Sequence, residues 1–281
     1  MSISKPARNY LLARLSSIFV LVVLAVLFAL MIAMLPSFSG DFHDFYSAGQ
    51  LMLQGKSPYS WPRYYSPIWV AGSVAPLTVL PEHLAYTVFT LASLVAITLT
   101  VWRLTQGKSQ VMALATMALL WVLQILGSNI DWVILAAMVV PSPLGVWLAL
   151  SKPQLGWILA AVLLLTMPRR KAIGTAMALV AGLGLSYLIG MRVPDLDTVR
   201  LWNMAPWPWG LLAGIPMGII ALVKRDRALA VGSSLLVSPY WQYPSFVAAW
   251  PVTLRARLAW LLWMVVMILK FIEKVEAVLG Q

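Results

Sequence analysis

The hydrophobic pattern of this chain consists of long uncharged runs that are separated by short clusters of charged residues. A helix needs about 20 apolar residues to cross a bilayer, and each run is long enough to cross hydrocarbon or to fold into it. The runs cover residues 15–35, 64–81, 84–102, 109–130, 132–151, 153–168, 172–191, 201–223 and 228–254. This pattern predicts an all-α polytopic membrane protein that folds as a single domain over residues 1–281.

The segment after the first run carries the densest polar chemistry of the chain. Asp41, His43, Asp44 and Tyr46 follow one another closely where the first helix should leave the membrane. The pattern predicts one short interfacial helix from about Asp44 to Leu53, because glycine and proline follow it. A carboxylate at a membrane face can act as a general base towards a hydroxyl. Alternatively, Asp41 and Asp44 are the N-cap and first-turn acids of a surface helix, where the helix dipole favours them.

Basic clusters predict the orientation of the chain. They occupy residues 5–14, 169–171 and 224–227, and the positive-inside rule places all three in the cytoplasm. The first loop, including Asp41, is then extracytoplasmic, and the N-terminus is cytoplasmic. The first run is too long for the core of a signal peptide and is interpreted as a retained helix.

The number of crossings stays open in the sequence. If every run before Lys152 crosses, Arg103 and Lys108 lie outside, against the positive-inside rule. If residues 66–80 instead form a re-entrant or interfacial helix, Arg103 and Lys108 lie in the cytoplasm. Lys152 then lies on the wrong side of the membrane unless another segment is also a half-span. Pro141 and its neighbour Pro143 are able to break such a segment. We therefore expect about eight or nine spans.

Composition supports the membrane class and excludes others. Apolar residues make up 61% of the 281 residues, charged residues 10%, and the mean hydropathy is +0.86. The formal charge of +11 comes from clusters between apolar runs, which fits anionic lipid and not nucleic acid. The chain has no cysteine, so thiolate metal sites and cysteine nucleophiles are excluded.

Two further positions carry candidate chemistry. Lys152 interrupts apolar sequence, which is costly unless the ammonium meets water, an anion or a carboxylate. Its alternative is a lysine at a helix end whose ammonium reaches the interface. Asp195 and Asp197 match an Asp-x-Asp metal motif, but they are more simply an extracytoplasmic amphipathic turn, and we predict no metal site. Gly127, Ser128, Asn129 and Asp131 also interrupt the apolar sequence before Lys152, and they are a weaker signal than the lysine.

The order of these motifs resembles the GT-C type membrane glycosyltransferases, in particular family 87, the polyprenyl-phosphate-mannose-dependent mannosyltransferases. In the first loop the matching residues are Asp41-Phe42, Phe45-Tyr46, Ala48-Gly49, Leu51–Leu53, Gly55 and Pro58-Tyr59. Lys152-Pro153-Gln154 is similar to the lysine-proline signature of the family. The stretch 235–241, which contains Tyr240, is similar to its late Ser-Pro-aromatic segment. There the chain departs from the family, because Gln242 follows Trp241 where many members have Trp-Asp-His.

The resemblance implies a GT-C fold and an enzyme that moves a hexose, with mannose first among the candidates. The donor would be a polyprenyl-phosphate sugar, the acceptor a lipid-linked or other glycan, and no cofactor or metal would be needed. Asp41 would be the catalytic base, and Lys152 and Arg63 would face the departing phosphate. The other implied substrate-binding residues are His43, Asp44, Tyr46, Gln154 and Tyr240. We expect the plasma membrane of a bacterium as the location.

The alternative is a non-catalytic membrane subunit or a degenerate relative with the same fold. The missing late histidine and the short chain favour it, whereas Asp41 and Lys152 favour the enzyme. Such a subunit would pack against lipid and against the helices of other membrane proteins. A transporter would predict inverted repeats, and the sequence contains no internal repeat.

Overall fold

The computed structural model describes residues 41–106, 110–192, 203, 205–242, 245–255, 260–265, 268, 269 and 272. The first hydrophobic run, at 15–35, and the predicted amphipathic turn at 195–197 lie outside these residues. Within the described residues the secondary structure is helical and contains no strand. The α-helices are α1 Phe42–Leu53, α2 Ile68–Val74, α3 Glu82–Leu104, α4 Gln110–Gly127, α5 Trp132–Ala137, α6 Ser142–Leu150, α7 Pro153–Leu165, α8 Arg169–Leu188, α9 Leu211–Lys224, α10 Arg227–Val237 and α11 Phe246–Thr253, with 3-10 turns at Pro58–Ser60 and Ala75–Val79.

Prolines set the starts of five helices. Pro67, Pro81, Pro141 and Pro168 are the residues before α2, α3, α6 and α8, and Pro153 is the first residue of α7. Proline suits these positions because the first helical N–H groups have no partner within the helix. The prolines therefore divide the apolar sequence into separate helices.

Three of the predicted runs are not single helices. The run 64–81 folds as α2 and a 3-10 turn, the run 132–151 as α5 and α6, and the run 228–254 as α10 and α11. In the second of these, Pro141 removes a donor and breaks the helix, as the sequence allowed. The short helix predicted after the first run is present as α1, and it begins at Phe42 instead of Asp44.

The core lies between α3, α4, α5, α7, α10 and α11. Its fully buried side chains are Leu94, Ile97, Leu120, Ile134, Leu135, Leu155, Leu159, Leu163 and Trp250. The helices α6 and α7 form a tight antiparallel hairpin, and α10 packs against α7, α9 and α11. At Gly156 a Cβ would lie 1.9 Å from the carbonyl oxygen of Ala149, so only glycine permits this approach.

The fold has two ends with opposite chemistry. We call the first the acidic end, where His43 of α1 contacts Glu82 at the start of α3, and Asp131 before α5 contacts Lys152 before α7. We call the other the arginine end. There Arg103, near the end of α3, donates to the carbonyl of Val139. The two ends are joined by α3, which is 23 residues long.

Two segments leave the acidic end and return to it. The α2 segment begins near Ser151, which accepts a hydrogen bond from Trp69, and it ends at Leu80, whose carbonyl accepts one from Tyr46. The α5–α6 segment runs from Asp131 to Lys152, which contact each other. Both segments therefore leave the acidic end and return to it. The α5–α6 segment reaches the arginine end at Val139, which brings Arg103 to the same end as the basic cluster at 224–227.

Two of the described helices are long and apolar enough to cross a membrane, namely α3 and α8. Their mean hydropathies are 2.0 and 1.4, and α3 is mostly buried whereas α8 is mostly exposed. The exposed apolar side chains of α8 and α9 include Met177, Val180, Tyr187, Leu188, Leu212 and Val223. The described residues thus contain two clear candidates for membrane spans.

Candidate functional site

Asp41 and the α4–α5 turn meet at the acidic end of the fold. Asp41 is the residue before α1, and its Oδ2 accepts a hydrogen bond of 2.6 Å from Nδ2 of Asn129. Asp41 is half-buried. It makes no capping bond through its side chain to α1, so capping that helix does not account for the acid.

The amide of Asn129 has a defined orientation. Its Oδ1 accepts from the backbone N–H of Ile130 at 2.7 Å and from Nζ of Lys152 at 3.3 Å. Both partners are donors only, so the oxygen must face them and the NH₂ group must face Asp41. Asn129 therefore connects the carboxylate of α1 with the lysine that precedes α7.

The turn that carries Asn129 is held by buried polar groups. Ser128 has a left-handed backbone, with φ of 50°, and its Oγ donates to the hydroxyl of Tyr86. Gln124 of α4 donates from Nε2 to the carbonyl of Asn129 at 2.8 Å. A non-glycine residue with positive φ needs such surroundings to persist, and these conformations cluster at functional sites.

Lys152 and Asp131 form a buried ion pair beside Asn129. Nζ of Lys152 lies 2.8 Å from both carboxylate oxygens of Asp131. The side chains are 14% and 2% exposed. The carboxylate compensates the lysine that interrupts the apolar sequence, because a buried charge is tolerated when it is paired and hydrogen-bonded.

Tyr240 lies in the non-helical segment between α10 and α11, where the charges of Asp41 and Asp131 act on its hydroxyl group. Its hydroxyl accepts a hydrogen bond of 2.6 Å from Nε2 of Gln242. Burial raises the pKa of the Tyr240 phenol, the bond from Gln242 opposes this rise, and the charges of Asp41 and Asp131 raise the pKa further. Tyr240 is therefore near enough to Asp41 and Asp131 for their charges to act on its phenol.

The charged and polar residues at the start of α1 belong to a neighbouring, more exposed group. Asp44 accepts from the indole of Trp61 at 2.8 Å and from Nε of Arg63 at 3.0 Å. His43 contacts Glu82 at 2.8 Å and packs its ring edge against Trp61. Arg63 is 65% exposed and is paired with Asp44, so it belongs to a different ion pair from Lys152.

Tyr46 and Gln154 occupy different surroundings. Tyr46 is buried on the core side of α1, and its hydroxyl donates to the carbonyl of Leu80 at 2.8 Å. This contact makes Tyr46 an anchor between α1 and the end of the α2 segment. Gln154 is the second residue of α7, half-buried and two positions after Lys152.

The candidate site residues from the sequence thus divide into two groups. Asp41, Lys152 and Tyr240 converge, although they are distant along the chain, whereas His43, Asp44 and Arg63 gather around Trp61. Among the described residues, no group of three or more histidine, aspartate or glutamate side chains is arranged to hold a metal ion.

Sequence reasoning gave too little weight to Asn129, Asp131 and Gln242. A signal for Asp131 existed, because it is the single carboxylate between Glu82 and Asp195 and stands in otherwise apolar sequence. A lone acid and a lone lysine in such sequence require partners, and pairing them predicts their contact. Asn129 and Gln242 carry no comparable signal.

Comparison with known proteins gives no match to a family model, to a curated protein or to a solved structure.

Proposed function

We propose that this chain is a polytopic membrane glycosyltransferase of the GT-C type. It moves a hexose, with mannose as the first candidate, from a polyprenyl-phosphate donor to an acceptor hydroxyl on the extracytoplasmic side. The observation that carries the proposal is that Asn129 joins Asp41 and Lys152 by hydrogen bonds, with Tyr240 near enough for the charge of Asp41 to raise the pKa of its phenol. Asp41, Lys152 and Tyr240 come from the three separate motifs on which the resemblance depends.

The chemistry is an inverting displacement. Asp41 removes the proton of the acceptor hydroxyl as its oxygen attacks the anomeric carbon, and the bond from that carbon to the phosphate oxygen breaks. The hydrogen bond from Asn129 orients the carboxylate, because the oxygen of the same amide is held by Ile130 and Lys152. The ammonium of Lys152 stabilises the charge of the departing phosphate.

Lys152 reaches that phosphate while it remains close to Asp131. The ammonium has three donors, and it exchanges part of its contact with Asp131 for the phosphate oxygens when the donor binds. Asp131 then keeps Lys152 charged and positioned in the empty site. His43 and Asp44, close to Asp41 in the chain, and Tyr240 would bind the substrates beside Asp41.

The arrangement of the two ends supports a membrane placement. With 66–80 and 132–151 as excursions from one side, Arg103, the cluster 169–171 and the cluster 224–227 all fall on the other side. That distribution satisfies the positive-inside rule with the acidic end outside. The exposed apolar faces of α8 and α9 suit lipid, since soluble monomers rarely expose large contiguous apolar patches. Counting α5–α6 as one excursion is compatible with about eight or nine spans.

The proposal is tested in membranes that contain the chain, supplied with radiolabelled polyprenyl-phosphate hexoses and a native lipid extract as the acceptor source. Asp41→Asn keeps the shape of the side chain but cannot accept the proton. Transfer should fall by roughly 10²-fold to 10⁴-fold, with little change in donor binding. The matched control is Asp44→Asn, the same chemical change one helical turn away, which should cost less. Equal activity of Asp41→Asn and the parent would contradict the proposal.

A second candidate is a non-catalytic membrane subunit that keeps the fold. Two observations favour it: Gln242, and not the family's histidine segment, follows Trp241, and the charge of Lys152 is already matched by Asp131. A subunit would show no transfer with any polyprenyl-phosphate sugar. It would instead co-purify with another membrane protein in stoichiometric amount, and Asp41→Asn would leave that assembly intact.

A further inference from the structure

An open cleft lies at the arginine end, opposite the polar group around Asp41. Its volume is about 430 Å³, within the range of roughly 300–1,000 Å³ that is usual for small-molecule sites. The cleft lies between the ends of α3, α5 and α11 and the start of α10. Its lining is apolar except for one residue, and consists of Leu104, Met138, Ala228, Pro251, Leu254 and Arg255.

Arginine side chains border this apolar lining. Arg103 and Arg227 precede the lining residues Leu104 and Ala228 and donate from Nη1 to the carbonyls of Val139 and Met138, at 2.7 and 2.6 Å. Arg255 lines the cleft itself. These contacts place the Arg103 and Arg227 guanidiniums at the end of α5, and Arg255 lines the same cleft as Met138.

The charge at the cleft is not balanced within the group. Asp226 pairs with Arg255 through a charge-assisted hydrogen bond, which leaves three guanidiniums against one carboxylate. Each bond to a carbonyl uses one of the five N–H donors of a guanidinium. The planar donor set of arginine fits phosphate oxygens in bidentate geometry, so the remaining donors suit a phosphate.

Capping the end of α5 explains only part of this arrangement. A cation near a helix C-terminus is favourable, but one side chain suffices for a helix of six residues. It also leaves unexplained why apolar side chains line an open cleft between the arginines. A ligand that is both apolar and anionic accounts for both features.

We propose that this cleft binds one anionic phospholipid, with an acyl chain against the apolar lining and the headgroup phosphate between Arg103, Arg227 and Arg255. In the membrane placement argued above, this end faces the cytoplasmic leaflet. Basic pockets between membrane helices on that side are suited to anionic headgroups. The inference does not depend on transfer activity, since the cleft lies at the other end of the fold from Asp41.

The test measures lipid binding to the purified full-length chain in a neutral detergent by native mass spectrometry. Phosphatidylglycerol and phosphatidylcholine with the same acyl chains are titrated in parallel. The chain should hold one phosphatidylglycerol about tenfold more tightly than phosphatidylcholine, because the quaternary ammonium of phosphatidylcholine is repelled by the guanidiniums whereas phosphatidylglycerol is a net anion. Equal affinities would overturn the proposal.

Variants separate the charge from the apolar lining. The double variant with Arg103→Gln and Arg227→Gln should weaken phosphatidylglycerol binding about tenfold, whereas lysine at both positions should restore part of it. Lys171→Gln removes the same charge from exposed sequence at the start of α8 and should change the affinity less than about twofold. Ala228→Phe should obstruct the cleft while every arginine remains.

Three further outcomes would contradict the inference. Full lipid binding by the double glutamine variant would remove the role of the arginines, and full binding by Ala228→Phe would remove the role of the cleft. Displacement of the lipid by millimolar inorganic phosphate would assign the guanidiniums to a free anion and not to a lipid headgroup. Since none of these measurements uses sugar transfer, they stand apart from the test of Asp41.

Discussion

Replacing Asp131 by asparagine should expose how much the fold depends on the buried pair with Lys152. The two carboxylate oxygens lie 2.8 Å from the ammonium, and the Asp131 side chain is 2% exposed. Asparagine keeps the volume of the side chain but leaves the ammonium without its counter-charge. Breaking a buried pair in this way typically costs about 3–5 kcal/mol, because the remaining charge stays desolvated.

The free energy of unfolding can be measured in mixed micelles with an increasing fraction of denaturing detergent. The fluorescence of the 14 tryptophans reports the transition. Asp44→Asn is the matched control, since Asp44 pairs with an arginine that is 65% exposed, and exposed pairs contribute about 0–1 kcal/mol.

A double variant sharpens this prediction. Combining Asp131→Asn with Lys152→Met removes both charges, so the protein should be more stable than with Asp131→Asn alone. The reasoning fails if Asp131→Asn costs no more than Asp44→Asn. It also fails if the double variant is the least stable of the series, because the pair would then not be the source of the penalty.

Two further changes test the packing and the charges away from this pair. Gly156→Ala should destabilise the α6–α7 hairpin by roughly 1–3 kcal/mol in the same unfolding assay, because its Cβ would lie 1.9 Å from the carbonyl oxygen of Ala149. Gly174→Ala on α8, where a Cβ would meet nothing within 4 Å, should instead stabilise by about 0.4–1 kcal/mol, and equal effects would refute the close approach. Burial opposes the ionisation of Asp226, but the N–H of Leu229 and the Arg255 guanidinium lower its pKa below 3.8 overall. Its stabilising contribution is therefore present above pH 3.8 and is lost as the pH falls through the lowered pKa, so Asp226→Asn should flatten the acid dependence of the melting temperature.

The sequence predicted the helical class because apolar runs and prolines are local signals. Pro141 marked the break between α5 and α6, and the isolated Lys152 marked a position that needs a partner. Neither signal states which distant residue supplies that partner. The approach of Asp41 to Asn129 depends on the packing of α1 against the turn after α4, across 88 positions of the chain.

Other features depend on tertiary geometry alone. The sequence predicted Tyr46 as a substrate-binding residue, but the packing of α1 turns its hydroxyl to the carbonyl of Leu80. The return of the α2 segment to the acidic end likewise follows from this contact between Tyr46 and Leu80, which no periodicity encodes. For this reason the sequence alone left the number of membrane crossings open.

The central claim is that the acidic end and the arginine end face opposite sides of a membrane, with Asp41 outside. The chain has no cysteine, so Ser60→Cys and Gln106→Cys each introduce a single thiol at an exposed position, one at each end. In intact cells an impermeant maleimide should label the Ser60→Cys variant and should label the Gln106→Cys variant only after the membrane is permeabilised. The reverse pattern, or labelling of both variants in intact cells, would contradict the placement, the base role of Asp41 and the cytoplasmic lipid cleft together.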